Sequence, residues 1–325
     1  MPTGHRHRTV TLLLALLLTT PSVSLPQQKA QQKPQQDQPI RVQVQLVNLF
    51  ATVRDDKRRL IPDLTREEVR VFEDGQEQKI DFFQRQTDLP LTIGLLIDTS
   101  ISQENTLSIE QEAATRFFQR VLQPKDLAMV MSFDVDVTLL TGFTNDVDRL
   151  ERAIGRAHIN APYSPINPGP LPPGLQSGGT NMFDAIYLAC TEQLAAEAGR
   201  KALIVITDAD DTGSKIPLKE AVEVAQRTDT VIHIILIADT RNYRKDSGTA
   251  RRFADETGGR VIEPRDEQKL SEAFDQIAEE LRSQYTIGYT PTNAQRDGSY
   301  RKVKLEATRK GIKVLTRKGY YAPKG

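Results

Sequence analysis

Hydrophobic and polar residues alternate in two stretches, one near each end of the chain, as they do in strands with one buried face. In the first stretch the alternation runs from Val42 to Leu49 and recurs at 69–72. The turn sequence 73–76, Glu-Asp-Gly-Gln, then predicts a hairpin whose returning strand spans Lys79 to Gln84. After Arg282 the alternation returns at 285–289, 300–307 and 312–315.

Each of these β segments is marginal as an independent unit, because a few short strands bury little apolar surface. Both segments flank one central region of the chain. We therefore predict that residues 40–88 and 283–325 pair with each other into a single small β-sandwich.

The central region, residues 89–282, has a different periodicity. Leu91 to Ile97 is a continuous apolar run, typical of a parallel strand that is covered on both faces. The spacing of Ala113, Ala114, Phe117 and Phe118 predicts an amphipathic helix. The strand-like runs 127–133 and 135–140 lie too close together for a helical crossover, so they should form an antiparallel hairpin at a sheet edge.

Further predicted helices and strands alternate along the rest of the central region. They are the helices 147–156, 182–198, 217–227, 249–257 and 267–282, and the strands 202–207, 231–237 and 260–262. Such alternation predicts an α/β fold with a doubly wound, mostly parallel sheet. A proline- and glycine-rich loop, 161–179, interrupts it, and loops of that length inside a domain are often functional.

The N-terminus has the features of a signal peptide over about residues 1–24. A positive segment at 5–8 precedes the apolar run Val10–Leu18, and Ser22-Val23-Ser24 offers a small-x-small cleavage site. The apolar run is far shorter than the ~20 residues of a spanning helix, although an uncleaved anchor is an alternative. Residues 25–39 are rich in glutamine, lysine and proline, which predicts a disordered linker. We expect an exported protein, periplasmic or secreted, with no membrane span after cleavage.

The composition argues against two classes of partner. Lysine plus arginine and aspartate plus glutamate number 43 each, so the formal net charge is zero. Nucleic acids and anionic membranes would require a basic excess, and neither is expected as a partner. Cys190 is the only cysteine, which excludes a disulfide within one chain and a multi-cysteine metal site.

Five oxygen-bearing residues follow predicted parallel strands or the long loop. Asp98, Ser100 and Ser102 come directly after the first strand, spaced so that their side chains can point the same way. Asp208 ends another strand, and Thr180 follows the long loop. Ligand sites in open α/β sheets lie beyond the carboxyl ends of the strands, so these residues can meet there. An all-oxygen set suits a hard cation such as Mg²⁺, with Mn²⁺ or Ca²⁺ as alternatives.

Each candidate ligand has a structural alternative. Ser100 and Gln103 have the spacing of a capping box, Thr180 could cap the following helix, and Asp208 could begin a turn. All five residues being caps at matching strand ends by chance is a much weaker explanation than one shared site. The loop 208–219 is no EF-hand, because its twelfth residue is Lys219 rather than a bidentate glutamate.

The pattern Asp-x-Ser-x-Ser, a distant threonine and a strand-final Thr-Asp resembles the metal-ion-dependent adhesion site of von Willebrand factor A (VWFA) domains. The resemblance extends to Val71–Gly75, Tyr285–Pro291 and Arg317–Tyr321, which are similar to segments of the exported bacterial VWFA-related proteins common in acidobacteria. Two positions depart from the commoner pattern. Ile101 stands where glycine is frequent between the serines, and Ala209 stands where glycine often follows the last aspartate.

The resemblance implies a role for each candidate ligand and for the whole chain. Ser100, Ser102 and Thr180 would bind the metal directly, whereas Asp98 and Asp208 would hold it largely through water. One coordination position would remain for an aspartate or glutamate of a partner protein. We therefore expect a binding module rather than an enzyme, since phosphate-loop and Gly-x-Ser-x-Gly motifs are absent. A magnesium-dependent hydrolase and a structural envelope module without metal are the alternatives.

Overall fold

The computed structural model describes residues 46–85, 89–159, 179–238 and 244–325. The predicted signal peptide, the predicted linker, the strand residues before Leu46 and the loop 161–178 lie outside these ranges. Within them, the strands are β1 (Val47–Asp55), β2 (Val69–Glu73), β3 (Gln76–Gln78), β4 (Ile80–Arg85), β5 (Leu91–Asp98), β6 (Leu127–Phe133), β7 (Val137–Thr144), β8 (Arg200–Thr207), β9 (Thr230–Leu236), β10 (Val261–Ile262), β11 (Tyr285–Tyr289), β12 (Tyr300–Ala307), β13 (Ile312–Leu315) and β14 (Gly319–Tyr321). The α-helices are α1 (Leu107–Val121), α2 (Val147–Ile154), α3 (Met182–Leu188), α4 (Leu218–Arg227), α5 (Ser247–Thr257) and α6 (Glu267–Arg282).

The central sheet has the strand order β10-β9-β8-β5-β6-β7. All of its pairings are parallel except that of β6 with β7, which form the predicted antiparallel hairpin at one edge. All eight residues of β5 are buried, because helices cover both faces of the sheet. Helices α1, α2 and α6 pack on one face, and α3, α4 and α5 pack on the other. The predicted doubly wound α/β fold is confirmed.

The β segments at the two ends of the chain pair with each other. One sheet has the order β13-β1-β11-β4 and the other β14-β12-β2-β3, so each contains strands from before and after the α/β region. Their inward-facing apolar residues form one shared core, which includes Leu49, Val71 and Ile287. This is the small β-sandwich that was predicted from the two flanking segments.

Two local elements differ from the sequence-based prediction. Asp74 and Gly75 adopt positive φ angles of 48° and 84° and make a tight turn, but the strand that returns to β2 is only the short β3. The chain then crosses at Lys79 to the other sheet, where β4 pairs with β11. The helix predicted over 182–198 is α-helical only to Leu188 and continues as a π turn and a 3₁₀ turn to Ala196.

A buried ion-pair cluster connects the β-sandwich to the α/β region. Glu280 of α6 accepts hydrogen bonds from Arg54 of β1 and from Arg260, which precedes β10. The Glu280 side chain is 1% exposed, and the side chains of Arg54 and Arg260 are 9% and 14% exposed. Because a buried carboxylate is costly without a cationic partner, this cluster ties the position of α6 to that of β1.

Candidate metal centre

The first part of the candidate site lies at the end of β5. Asp98 is its last residue and is fully buried, and Ser100 and Ser102 follow in the loop. One Asp98 carboxylate oxygen accepts a hydrogen bond from the Ser100 amide at 2.9 Å, and the other accepts one from the Thr207 hydroxyl at 2.6 Å. The hydroxyl oxygens of Ser100 and Ser102 are 3.0 Å apart. Three of the predicted ligands therefore lie together at the end of β5.

Asp208 lies beside this loop because β8 is the parallel neighbour of β5. Ile206 is in register with Ile97, so the residues that follow both strands emerge at the same edge of the sheet. After β5 the chain adds β6 on one side of it and later β8 on the other, so the strand order reverses here. Open α/β sheets bind ligands at such a position. Asp208 is 3% exposed, and its Oδ1 accepts a hydrogen bond from the Asp210 amide at 3.0 Å.

The backbone conformation of Ala209 accounts for the glycine that the commoner family pattern has after Asp208. Its φ is 63°, in the left-handed region, and its side chain is fully buried. A residue with a β-carbon is strained in this conformation, and such strain is concentrated at functional sites. The backbone of this loop therefore keeps the unusual turn although the glycine is absent.

Thr180 is held against the loop that follows Asp208. Its carbonyl accepts hydrogen bonds from the amides of Thr212 and Gly213, both at 3.1 Å, and its amide donates to the Thr212 hydroxyl at 3.1 Å. Thr180 is 7% exposed. The structure thus brings all five predicted residues to one edge of the central sheet.

The capping alternatives are not realised in the geometry. Ser100 precedes a 3₁₀ turn but makes no side-chain cap, and the N-cap of α3 is Asn181 rather than Thr180. The neighbouring acid Asp211 does cap α3, since its carboxylate accepts the Phe183 amide at 2.9 Å. The serine and threonine hydroxyls of the candidate site are therefore not used as helix caps.

The electrostatics of the site fit a cation. Burial, reinforced by the negative charge of Asp208, raises the pKa of Asp98 to about 7, and burial also raises the pKa of Asp208. Among the described residues, neither carboxylate has a lysine, arginine or histidine within ion-pair distance. No group of three or more histidine, cysteine, aspartate or glutamate side chains suited to a metal occurs in the described ranges, so hydroxyls would have to complete a ligand set. Two carboxylates and three hydroxyls are a donor set that suits Mg²⁺ or another hard divalent cation.

Sequence reasoning missed three residues that support this edge. Thr207 orients Asp98, as described above. The side-chain nitrogen of Gln103, Nε2, donates to the Ile237 carbonyl at 3.1 Å and lies 3.4 Å from the Ser102 hydroxyl. Glu110 of α1 is fully buried, and neither of its carboxylate oxygens has a hydrogen-bond partner among the described residues. The sequence did contain a signal for Glu110, which lies three and four residues before Ala113 and Ala114, on the apolar face of its helix.

Part of the central region matches a known family of domains. Residues 93–211 match the model of the von Willebrand factor type A domain. A von Willebrand factor type A protein from Catenulispora acidiphila is 14% identical, with a TM-score of 0.49 over 86% of this chain and 73% of that one. BatB from Bacteroides thetaiotaomicron is 15% identical, with a TM-score of 0.45 over 59% of this chain and 100% of that one.

A third similar structure is that of proximal thread matrix protein 1 from the mussel byssus, whose adhesion motif is occupied by zinc. It is 14% identical, with a TM-score of 0.48 over 64% of this chain and 49% of that one. No curated protein matches the chain in sequence. The α/β region, in which residues 93–211 match the family model, has the doubly wound fold of a von Willebrand factor type A domain. No helix in the described part of the chain is long and apolar enough to cross a membrane.

Proposed function

We propose that this chain is an exported protein-binding module that recognises an acidic side chain of its partner through a bound divalent cation. The observation that carries the proposal is the pair of buried carboxylates, Asp98 and Asp208, which lie beside three hydroxyls without a cationic side chain among the described residues. Burying two such carboxylates close together is unfavourable unless a positive charge is added. A cation bound there offsets this cost.

Each part of the site has a role in this proposal. Ser100, Ser102 and Thr180 present hydroxyl ligands, and Asp98 and Asp208 supply the negative charge that retains the ion. Bound there, a divalent cation would provide a Lewis-acidic position for one carboxylate oxygen of the partner. Mg²⁺ is the ion we expect, and Mn²⁺ or Ca²⁺ would suit the same oxygen ligands.

The surrounding loops fix the ligands before the partner arrives. Thr207 orients Asp98, and the loop 210–215 holds the backbone of Thr180 through three hydrogen bonds, one of them from the Thr180 amide to the Thr212 hydroxyl. Such preorganised contacts favour binding because little conformational entropy is lost on association. We propose that the loop 210–215 contributes to the selection of the partner.

The proposal is tested by measuring carboxylate binding with and without metal. The mature chain, residues 25–325, should bind aspartate-containing peptides in Mg²⁺ and lose that binding in chelator. Asp98→Ala should abolish binding while the circular dichroism spectrum is retained, because the core of the sheet does not depend on the ion. Peptide binding that persists unchanged in chelator would refute the mechanism.

A further inference from the structure

Two large apolar side chains are exposed at the edge that carries the candidate metal centre. Ile101 is 42% exposed and Val135 is 47% exposed, whereas Asp98, Ser102 and Thr180 beside them are at most 7% exposed. Isolated exposed apolar residues are common on protein surfaces. In this case, however, two of the six large exposed apolar residues in the described ranges flank a single site.

Ile101 is held between two predicted metal ligands. The hydroxyls of Ser100 and Ser102 approach each other at 3.0 Å, and the Ile101 side chain is the exposed one of the three. The backbone here is fixed by a 3₁₀ turn in which the Gln103 amide donates to the Ser100 carbonyl at 3.0 Å. Ile101 therefore projects outward from the site on an ordered loop.

Val135 lies in the loop after β6, the parallel neighbour of β5 on its other side. The Thr99 amide donates to the Phe133 carbonyl at 2.9 Å, and the Thr99 hydroxyl donates to Asp134 at 3.1 Å, so this loop contacts the one that carries the serines. On its other side, the Asn181 amide donates to the Asp134 carbonyl at 2.8 Å, and the Asn181 side chain donates to the Val135 carbonyl. Val135 therefore lies between the loop 99–102, which carries Ser100 and Ser102, and Thr180.

The charges at the same edge restrict what these apolar groups can contact. Asp136 and Asp210 are both exposed, one directly after Val135 and the other two residues after Asp208. Additional acidic side chains on a partner would be repelled by them. A partner segment that fits this edge therefore carries a single carboxylate with uncharged neighbours.

We propose that Ile101 and Val135 form an apolar rim that selects partners whose metal-directed aspartate or glutamate is flanked by apolar side chains. This inference rests on the proposed function, because the carboxylate must first be held at the metal. The occupant is a protein segment with one acidic residue between leucine, isoleucine, valine or phenylalanine residues. The partner buries its apolar side chains against the rim, and this strengthens binding beyond what the carboxylate alone provides.

Three short blocked peptides test the rim, each with a central aspartate flanked on both sides by leucine, serine or glutamate. Their binding to the mature chain in Mg²⁺ is followed by nitrogen–proton correlation spectra. We expect the leucine-flanked peptide to bind about tenfold more tightly than the serine-flanked one, a difference of about 1.4 kcal/mol and within the range for burying part of a leucine side chain. The glutamate-flanked peptide should bind most weakly.

The double variant Ile101→Ser/Val135→Ser should remove the preference for leucine and leave the affinity for the serine-flanked peptide unchanged. The matched control is Leu139→Ser/Leu188→Ser, which replaces two equally exposed apolar residues in β7 and at the end of α3. This control should keep the preference. Both double variants alter exposed side chains, so both should fold.

The outcomes separate the rim from the metal site itself. Equal Mg²⁺-dependent affinities for the leucine- and serine-flanked peptides would overturn the rim while leaving the proposed function intact. A leucine preference that survives Ile101→Ser/Val135→Ser would also overturn it. If none of the peptides shows Mg²⁺-dependent binding, the proposed function fails, and the rim fails with it.

Discussion

At the scale of single residues, the acids of the candidate metal centre differ from the buried acids that arginines neutralise elsewhere in the described part of the chain. Three buried carboxylates elsewhere in the described ranges form ion pairs with arginines: Glu73 with Arg301, Asp126 with Arg282, and Glu280 with Arg54 and Arg260. At the edge of the central sheet, Asp98, Asp208 and Glu110 have no such partner among the described residues. Buried acids without compensation are costly to the fold, which is a reason to expect that they serve binding.

Glu110 gives this cost a measurable pH dependence. Burial, with the charges of Asp98 and Asp208 added, raises its pKa from 4.5 to about 8. An acid whose pKa is raised in the folded state costs nothing below its unfolded pKa, and its cost grows as the pH rises towards the folded pKa. Glu110→Gln should therefore leave the free energy of unfolding in chelator nearly unchanged at low pH. It should raise that free energy by a few kcal/mol above about pH 8.

Urea unfolding across this pH range checks the prediction. Glu112→Gln, on an exposed position of the same helix, is the matched control and should show no pH-dependent gain. A Glu110→Gln effect that is constant with pH would mean that the carboxyl is not forced to ionise in a buried environment.

The residue types of the candidate ligands and their positions after strands were visible in the sequence. Supporting residues such as Thr207 and Gln103 could not be assigned. Their roles depend on hydrogen bonds to residues far away in sequence, Asp98 and Ile237, and only the packing of neighbouring strands brings these together.

At the scale of elements, β5 positions the site because it lies in the middle of the sheet, between β6 and β8. Side chains of the two neighbouring strands fill the space over Gly94. A β-carbon at Gly94 would overlap the side chains of Leu203 in β8 and Met129 in β6.

Gly94→Ala should therefore destabilise the protein by about 1–3 kcal/mol, the range for overpacking a filled core. The control is Gly142→Ala on the edge strand β7, where an added β-carbon would meet nothing within 4 Å. It should be neutral or stabilise by up to about 1 kcal/mol, because it reduces the entropy of the unfolded chain. Thermal or urea unfolding of both variants gives the comparison, and equal effects would contradict this view of β5.

The strands and helices of the central region followed closely from their periodicity, since buried parallel strands and amphipathic helices have distinct patterns. The crossing of the chain at Lys79 could not be predicted from periodicity. Residues 76–78 and 80–85 were predicted as one returning strand, but tertiary pairing divides them between two sheets. The π turn after Leu188 was also invisible, because it breaks no residue pattern.

At the scale of the whole molecule, the β-sandwich consists of strands from both ends of the chain. The α/β domain lies between these strands in the sequence. The marginal length of each flank was enough to predict that the two pair. The strand order could not be predicted, because several registers bury a similar number of apolar residues. The Glu280 cluster adds a polar connection between the β-sandwich and α6 that no sequence pattern indicated.

Glu280→Gln should destabilise the molecule by about 3–5 kcal/mol, because it leaves two largely buried arginines without a countercharge. Glu151→Gln, at an exposed position of α2, should change the free energy of unfolding by no more than about 0.5 kcal/mol. Urea unfolding of the mature chain measures both. Similar values for the two variants would show that the cluster does not hold the β-sandwich to the α/β domain.

The central claim, a divalent-cation site formed by Asp98, Ser100, Ser102, Thr180 and Asp208, is tested most directly by calorimetric titration. Mg²⁺ and Mn²⁺ are titrated into the mature chain and into the Asp98→Ala/Asp208→Ala double variant, each with acetate present to supply the partner carboxylate. Saturable binding to the wild-type chain that is lost in a folded double variant is the predicted result. No saturable binding to the wild-type chain, or equal binding to both proteins, would contradict the account.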